Sequence, residues 1–164
     1  MKTGMTTSAN GTAVLHYFES CRLTAYPDPA TNGKPWTIGW GCTGPDVVPG
    51  LKITQQNADD RFLARLTNEF EPGVLKAATH LMLQGEFDAM VCLAYNIGVH
   101  AFSNSTLIRK FNKGKIAEVS LEFLRWDKAN GLTYRGLTRR RHAEKALFEG
   151  KTGLEAIAIG AAAV

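Results

Sequence analysis

The sequence predicts a mostly helical α+β protein with one small β-hairpin region near its N-terminal end. Three observations carry this. From Thr54 onward, apolar residues recur at helical spacing. Between Ala25 and Lys52, Pro, Gly, Asn and Asp break the chain around one short aromatic stretch, Trp36-Thr37-Ile38-Gly39-Trp40. A length of 164 residues suits one domain with room for two lobes around a cleft.

Taken in order, Thr12 to Cys21 reads as a helix with Val14, Leu15 and Phe18 on one stripe. Glu19 falls at its C-terminal end, where the helix dipole opposes a carboxylate. Tyr26 to Pro35 reads as a loop, Trp36 to Trp40 as a strand, and Thr43-Gly44-Pro45-Asp46 and Pro49-Gly50 as turns. Thr54 is the N-cap of a helix from Gln55 to Phe70, whose Ala58, Phe62, Leu66 and Phe70 recur every four residues. It is long enough to join two lobes. Pro72 restarts the chain, and Gly73 to Leu83 is expected to be helical. Glu86 to Ile97 is the most apolar helix and the expected core element, broken at Gly98. Ser105 to Asn112 and Ile116 to Trp126 read as amphipathic helices. Asn130-Gly131 marks a loop, and Leu137 to Glu149 a basic helix capped near Gly150. Ile157 to Val164 reads as a packed terminal helix.

Net charge is +4, which favours anionic partners: nucleic acid, anionic lipid or bacterial wall polymer. There is no apolar run of about 18 residues to span a membrane. Met1 to Thr12 lacks the apolar core of a signal peptide. Cys21, Cys42 and Cys92 form no CxxC pair, and an odd count rules out a fully paired disulfide scaffold. His16, His80, His100 and His142 have no metal-ligand spacing and read as structural or surface residues. No cofactor or metal is expected.

The acids near the N-terminus suggest chemistry. Glycoside cleavage uses two carboxyl groups, one giving a proton to the leaving oxygen and the other acting from the opposite face. Glu19 and Asp28 lie nine positions apart across a helix end and a turn, and can face one another over a cleft edge. Thr37, nine positions further, can donate and accept, so it can hold a water molecule. Alone, a Glu at a helix end is usually just solvated.

The run Phe18-Glu19-Ser20-Cys21-Arg22-Leu23-Thr24-Ala25-Tyr26-Pro27-Asp28, followed by Trp36-Thr37-Ile38-Gly39-Trp40-Gly41, resembles the phage-type lysozymes, the endolysins of glycoside hydrolase family 24. The resemblance continues in order through Phe87-Asp88-Ala89, Ala94-Tyr95-Asn96-Ile97-Gly98 and Phe102-Ser103-Asn104-Ser105-Thr106-Leu107. It extends to Phe123-Leu124-Arg125-Trp126, Gly136-Leu137-Thr138-Arg139-Arg140-Arg141, Glu144 and Leu147-Phe148.

What this resemblance implies is a lysozyme-like two-lobed fold: a β-hairpin lobe over about 13–53, a linking helix over about 54–70 and a helical lobe over about 72–164. It implies hydrolysis, with inversion, of the β-1,4 bond between N-acetylmuramic acid and N-acetylglucosamine in peptidoglycan. By the same resemblance Glu19 is the general acid, and Asp28 with Thr37 positions the attacking water. Tyr95, Asn96 and Ser105 match substrate-contacting positions, although Tyr95 reads equally as a core aromatic and Ser105 as an N-cap. Arg140 matches an arginine beside the catalytic glutamate and is grouped with the substrate-binding residues. Trp126 reads as core. The implied partner is the glycan strand, with no nucleic acid and no membrane insertion. The protein is expected as a monomer that accumulates in the host cytoplasm before reaching the wall.

The chain departs from the family pattern at Cys42, where the family carries a histidine, and in the loop from Asp28 to Thr37, which holds Pro29 and Pro35 and looks longer than usual. Cys42 also reads as a candidate redox-sensitive thiol. Two other functions stay open. One is a lytic transglycosylase, which uses the acid without an attacking water. The other is a non-catalytic wall- or nucleic-acid-binding module, which the run Arg139-Arg140-Arg141 permits.

Overall fold

The computed structural model describes residues 4–28 and 31–163. Pro29, in the stretch singled out above, and Val164, in the expected terminal helix, lie outside the described residues.

The first helix, α1, runs Ala9–Glu19 and so starts earlier than its apolar stripe suggests. In the fold Gly11 is a point of close approach, since a Cβ there would lie 2.9 Å from Asp88 Cγ. Ser8 caps the helix by accepting from Asn10 N at 3.2 Å. The buried Asp88 carboxylate in turn accepts from the Ser8 amide at 2.9 Å, a favourable place for negative charge.

Three antiparallel strands follow: β1 (Arg22–Asp28), β2 (Gly33–Gly39) and β3 (Cys42–Thr43), in that spatial order. Much of the expected loop is therefore strand. Pro27 is tolerated because β1 is an edge strand with an irregularity between Tyr26 and Asp28. Tyr26 pairs with Thr37, and Thr37 with Thr43. Successive side chains alternate between faces. Ala25 and Ile38 are thus buried with Val47 in a small core, while Tyr26 and Thr37 occupy the opposite face.

The helix α2 (Gln55–Arg65) begins at Thr54, whose hydroxyl accepts from Asn57 N as expected. It passes through a widened π-turn, Leu66–Phe70, into α3 (Glu71–Ala77). Pro72 does not restart the chain. A proline ring clashes with the carbonyl four residues back in a regular helix, and the wider turn just before it relieves that clash. The Glu71 amide accordingly reaches back to the Leu66 carbonyl. Helix α3 stops at Ala77, not Leu83.

The central helix α4 (Gln84–Ile97) is buried at every residue from Glu86 to Tyr95. Around it stand α5 (Val99–Ser103), α6 (Thr106–Asn112) and α7 (Ile116–Glu122), the last continued by a 3₁₀ turn, Phe123–Trp126. Asn130-Gly131 forms the tip of a two-stranded hairpin, β4 (Lys128–Ala129) with β5 (Leu132–Thr133). The helix α8 (Arg135–Phe148) ends in a Schellman arrangement, with Gly150 at φ 87° and Lys151 N bonded to Ala146 O. The last helix, α9 (Gly153–Ala162), packs on α1 and α8 through its two end glycines. The protein is α+β and mostly α, with a large helical core and the smaller sheet core. Among the described residues no helix is long and apolar enough to cross a membrane.

A Cβ at Gly160 would lie 2.5 Å from the Arg139 carbonyl and 2.8 Å from Ala143 Cβ. Overpacking of this kind costs about 1–3 kcal/mol. Gly160→Val is therefore expected to lower the thermal midpoint by roughly 4–8 °C, read by calorimetry.

Candidate active site

Glu19 is the last residue of α1, and Ser20 after it turns the chain away with a positive φ of 54°. The Glu19 side chain keeps 15% exposure. Its Oε1 accepts from Arg140 Nη1 at 2.6 Å. Its Oε2 lies against the backbone of Gly41, where a Cβ would stand only 2.7 Å away. Gly41 also takes φ 79°, so both its backbone and the adjacent carboxylate exclude a side chain.

Arg140 is 5% exposed and lies behind Glu19. Its Nε donates to Glu144 Oε1 at 3.1 Å and its Nη2 to the Cys92 carbonyl at 3.3 Å. Arg141, fully buried, donates to the same Glu144 oxygen and to Asn96 Oδ1, both at 2.9 Å. Two carboxylates thus face two guanidiniums. The arginine run is not the solvated face that its composition suggests: Arg140 and Arg141 are interior, and Arg139 bonds the Ala163 carbonyl. Arg140, expected among the substrate-binding residues, is buried and is a structural partner of Glu19.

The sheet contributes Asp28 and Thr37. Asp28 ends β1, and its Oδ1 accepts from Thr31 N at 3.1 Å, which orients the carboxylate within its own turn. Thr37 stands on the sheet face opposite the small core, beside Tyr26. Glu19 lies close enough to Tyr26 that its charge, with burial the larger cause, raises the phenol above its ordinary value.

The remaining expected contacts divide. Tyr95 is only 7% exposed and packs against Phe62 and Phe70. Its hydroxyl donates to the Trp40 carbonyl at 2.6 Å. Burial holds this phenol above its ordinary value, so it stays a donor. Tyr95 is a core aromatic that anchors the β2–β3 turn. Ser105 is 5% exposed, and its Oγ caps α6 through Ile108 N, so it too is structural. Asn96 is exposed, with its oxygen bound to Arg141. Trp126 packs against the helical core. The three cysteines are free thiols, and Cys42 is buried beside Arg65 and Tyr95. Among the described residues no cluster of His, Cys, Asp or Glu could hold a metal ion.

Sequence reasoning missed four neighbours of the site. Glu144 and Arg141 were legible only as an i, i+3 pair. Arg65 donates to the Gly41 carbonyl at 3.2 Å and lies over the Phe70 and Tyr95 rings. His16 stacks on Trp40 with ring centroids 3.8 Å apart. Its place three residues before Glu19 was the available signal.

The family model "Phage lysozyme" matches residues 16–144. The endolysin of Bacillus phage PZA is 40% identical over 148 residues, covering 90% of this chain and 57% of that protein. The chain therefore spans just over half the length of that relative. A solved endolysin from Escherichia coli O157:H7 phage FAHEc1 superposes with a TM-score of 0.80 at 32% identity, over 92% of this chain and 97% of that one. The muramidase domain of SpmX from Asticaccaulis excentricus gives the same score at 31% identity, over 90% and 100%.

Removing Glu144 would leave two interior guanidiniums short of a counter-charge. Breaking a buried pair this way costs about 3–5 kcal/mol, so Glu144→Ala should lower the urea midpoint strongly. His16 offers a pH test. Burial pushes its imidazole below the ordinary value, against the pull of Asp59. The unfolded chain then takes up a proton that the folded chain refuses. The contribution is complete above about pH 6.5 and is lost as pH falls through the folded value. The urea midpoint should thus rise between about pH 5 and 7, and less so in His16→Phe.

Proposed function

The chain belongs to the phage lysozyme family, and from that premise we propose that it is an endolysin. It hydrolyses the β-1,4 bond between N-acetylmuramic acid and N-acetylglucosamine in peptidoglycan. The observation that carries this reading is the setting of Glu19. It ends a helix, remains partly exposed, and has one oxygen bound by Arg140 and the other set against the Gly41 backbone.

Glu19 gives its proton to the departing glycosidic oxygen. Arg140 favours the charged carboxylate, yet its guanidinium is shared with Glu144 and the Cys92 carbonyl. Its charge is therefore partly answered before Glu19 is counted. A glycan covering Glu19 removes water from it and favours the neutral acid. After proton transfer, Arg140 stabilises the carboxylate that results.

Asp28 and Thr37 hold the attacking water. Thr37 stands on the sheet face away from the small core, and the Asp28 carboxylate is oriented by its own turn. Water delivered from the face opposite the acid inverts the anomeric carbon. The exposed Asn96, its oxygen held by Arg141, offers its amide to an N-acetyl carbonyl. On this reading the site lies between the sheet lobe, about 13–53, and the helical lobe, about 72–164, and the partner is the glycan strand. The positive net charge favours approach to an anionic wall. The enzyme acts as a monomer at the wall once released from the host cytoplasm.

Glu19→Gln should lower clearing of purified walls about 10³-fold while leaving wall binding intact. Undiminished lysis would reject the assignment of the acid. Mass spectrometry of the wild-type products should find reducing muramic ends. Anhydro-muramic ends would make the enzyme a transglycosylase and remove the water-holding task of Asp28 and Thr37.

A further inference from the structure

The turn carrying Gly41 is fixed by side chains packed around Trp40. Its Trp40 ring lies flat on His16, at 3.8 Å and 8° between planes. Phe62 lies beside both rings, 4.7 Å from His16 and 6.3 Å from Trp40. Trp40 Nε1 donates to Asp59 Oδ1 at 2.7 Å, and the Trp40 carbonyl accepts from Tyr95. His16 lies on α1 three residues before Glu19, so both project from nearly the same side of that helix. One helix face therefore meets one turn twice: a ring against Trp40, then a carboxylate against the adjacent Gly41.

We infer that His16 is a positioning residue of the site: its ring fixes Trp40, and through Trp40 the Gly41 backbone against which the Glu19 carboxylate is set. This rests on the role proposed for Glu19. With Oε1 bound by Arg140, the carboxylate retains rotation about its own axis. The Gly41 backbone blocks part of that rotation through its contact with Oε2. Proton transfer needs the acid within hydrogen-bond reach and correctly aimed, and a misplacement of about 1 Å can cost roughly 10²-fold.

The property used is a flat aromatic face. His16 Nε2 is buried and has no hydrogen-bond partner among the described residues, so the ring is not retained for a bond from that nitrogen. Asp59 on α2 and Glu71 on α3 line the same groove as His16, a volume of about 480 Å³. Asp59 is bound to Trp40 and Gln55, and Glu71 to Thr7. A phenyl ring can replace the imidazole. A side chain without a ring cannot.

The test compares His16→Phe, His16→Leu and His16→Ala with the wild-type protein on soluble glycan strands. His16→Ala and His16→Leu should lower kcat about 10-fold with KM unchanged, and His16→Phe should stay within about 2-fold of wild type. His16→Leu keeps the apolar volume and so reports even where the alanine variant folds poorly. A second readout is the ¹³C titration of the Glu19 carboxyl, whose midpoint should move in His16→Leu and not in His16→Phe. Wild-type kcat together with an unmoved carboxyl in His16→Leu would overturn the inference. An equal loss in His16→Phe would do the same. If the wild-type protein cleaves no glycan, the proposed function fails, and the carboxyl titration alone decides whether His16 positions Glu19.

Discussion

Two glutamates and two arginines share one interior volume, and each is tolerable there only because of the others. A lone ion taken out of water costs several kcal/mol even after relaxation. Here Glu144 stands between Arg140 and Arg141, and Glu19 takes the remaining face of Arg140. Arg140 also reaches the Cys92 carbonyl on α4, and Arg141 reaches Asn96 near that helix's end. The network thus ties α1, α4 and α8 together at one point. Its directional bonds fix a mutual placement that apolar packing alone would leave looser, and they hold Glu19 where it meets water.

The sheet is fastened to this scaffold mainly through three consecutive residues, Trp40, Gly41 and Cys42. α1 presents His16 to the first. α2 presents Asp59 to the Trp40 ring nitrogen and Arg65 to the Gly41 carbonyl, and α4 presents Tyr95 to the Trp40 carbonyl. Cys42 is buried among them. Glu19 is thereby set against a turn that three helices hold.

The sequence made the helices and the short aromatic strand legible because each is a local pattern. Glu19, Asp28 and Thr37 sit in contiguous motifs. Arg140 could be found only by alignment with the family, since nothing local separates it from the arginines on either side. Arg141 and Glu144 were opaque because i, i+3 and i, i+4 charge pairs usually mark a wet helix face. What makes them interior is α9 and α4 lying over α8, a tertiary fact. The same applies to Tyr95 and Ser105. Their motif positions suggested ligand contact, but hydrogen bonds to Trp40 and to the start of α6 satisfy them internally. Pro72 misled in the opposite direction: it looks like a breaker, yet its clash is relieved by a widened turn.

The bond from Arg140 to Glu19 joins positions 121 residues apart. A ribosome delivers the chain from its N-terminus, at about 5–20 residues per second. The acid, the strands and the central helix all emerge before the guanidinium that orients the acid. Every nascent chain shorter than α8 therefore has its glutamate in an unfinished pocket. The assembled constellation comes only once α8 has been made, so a product truncated before it, even one carrying Glu19 and all three strands of the first sheet, would still lack it.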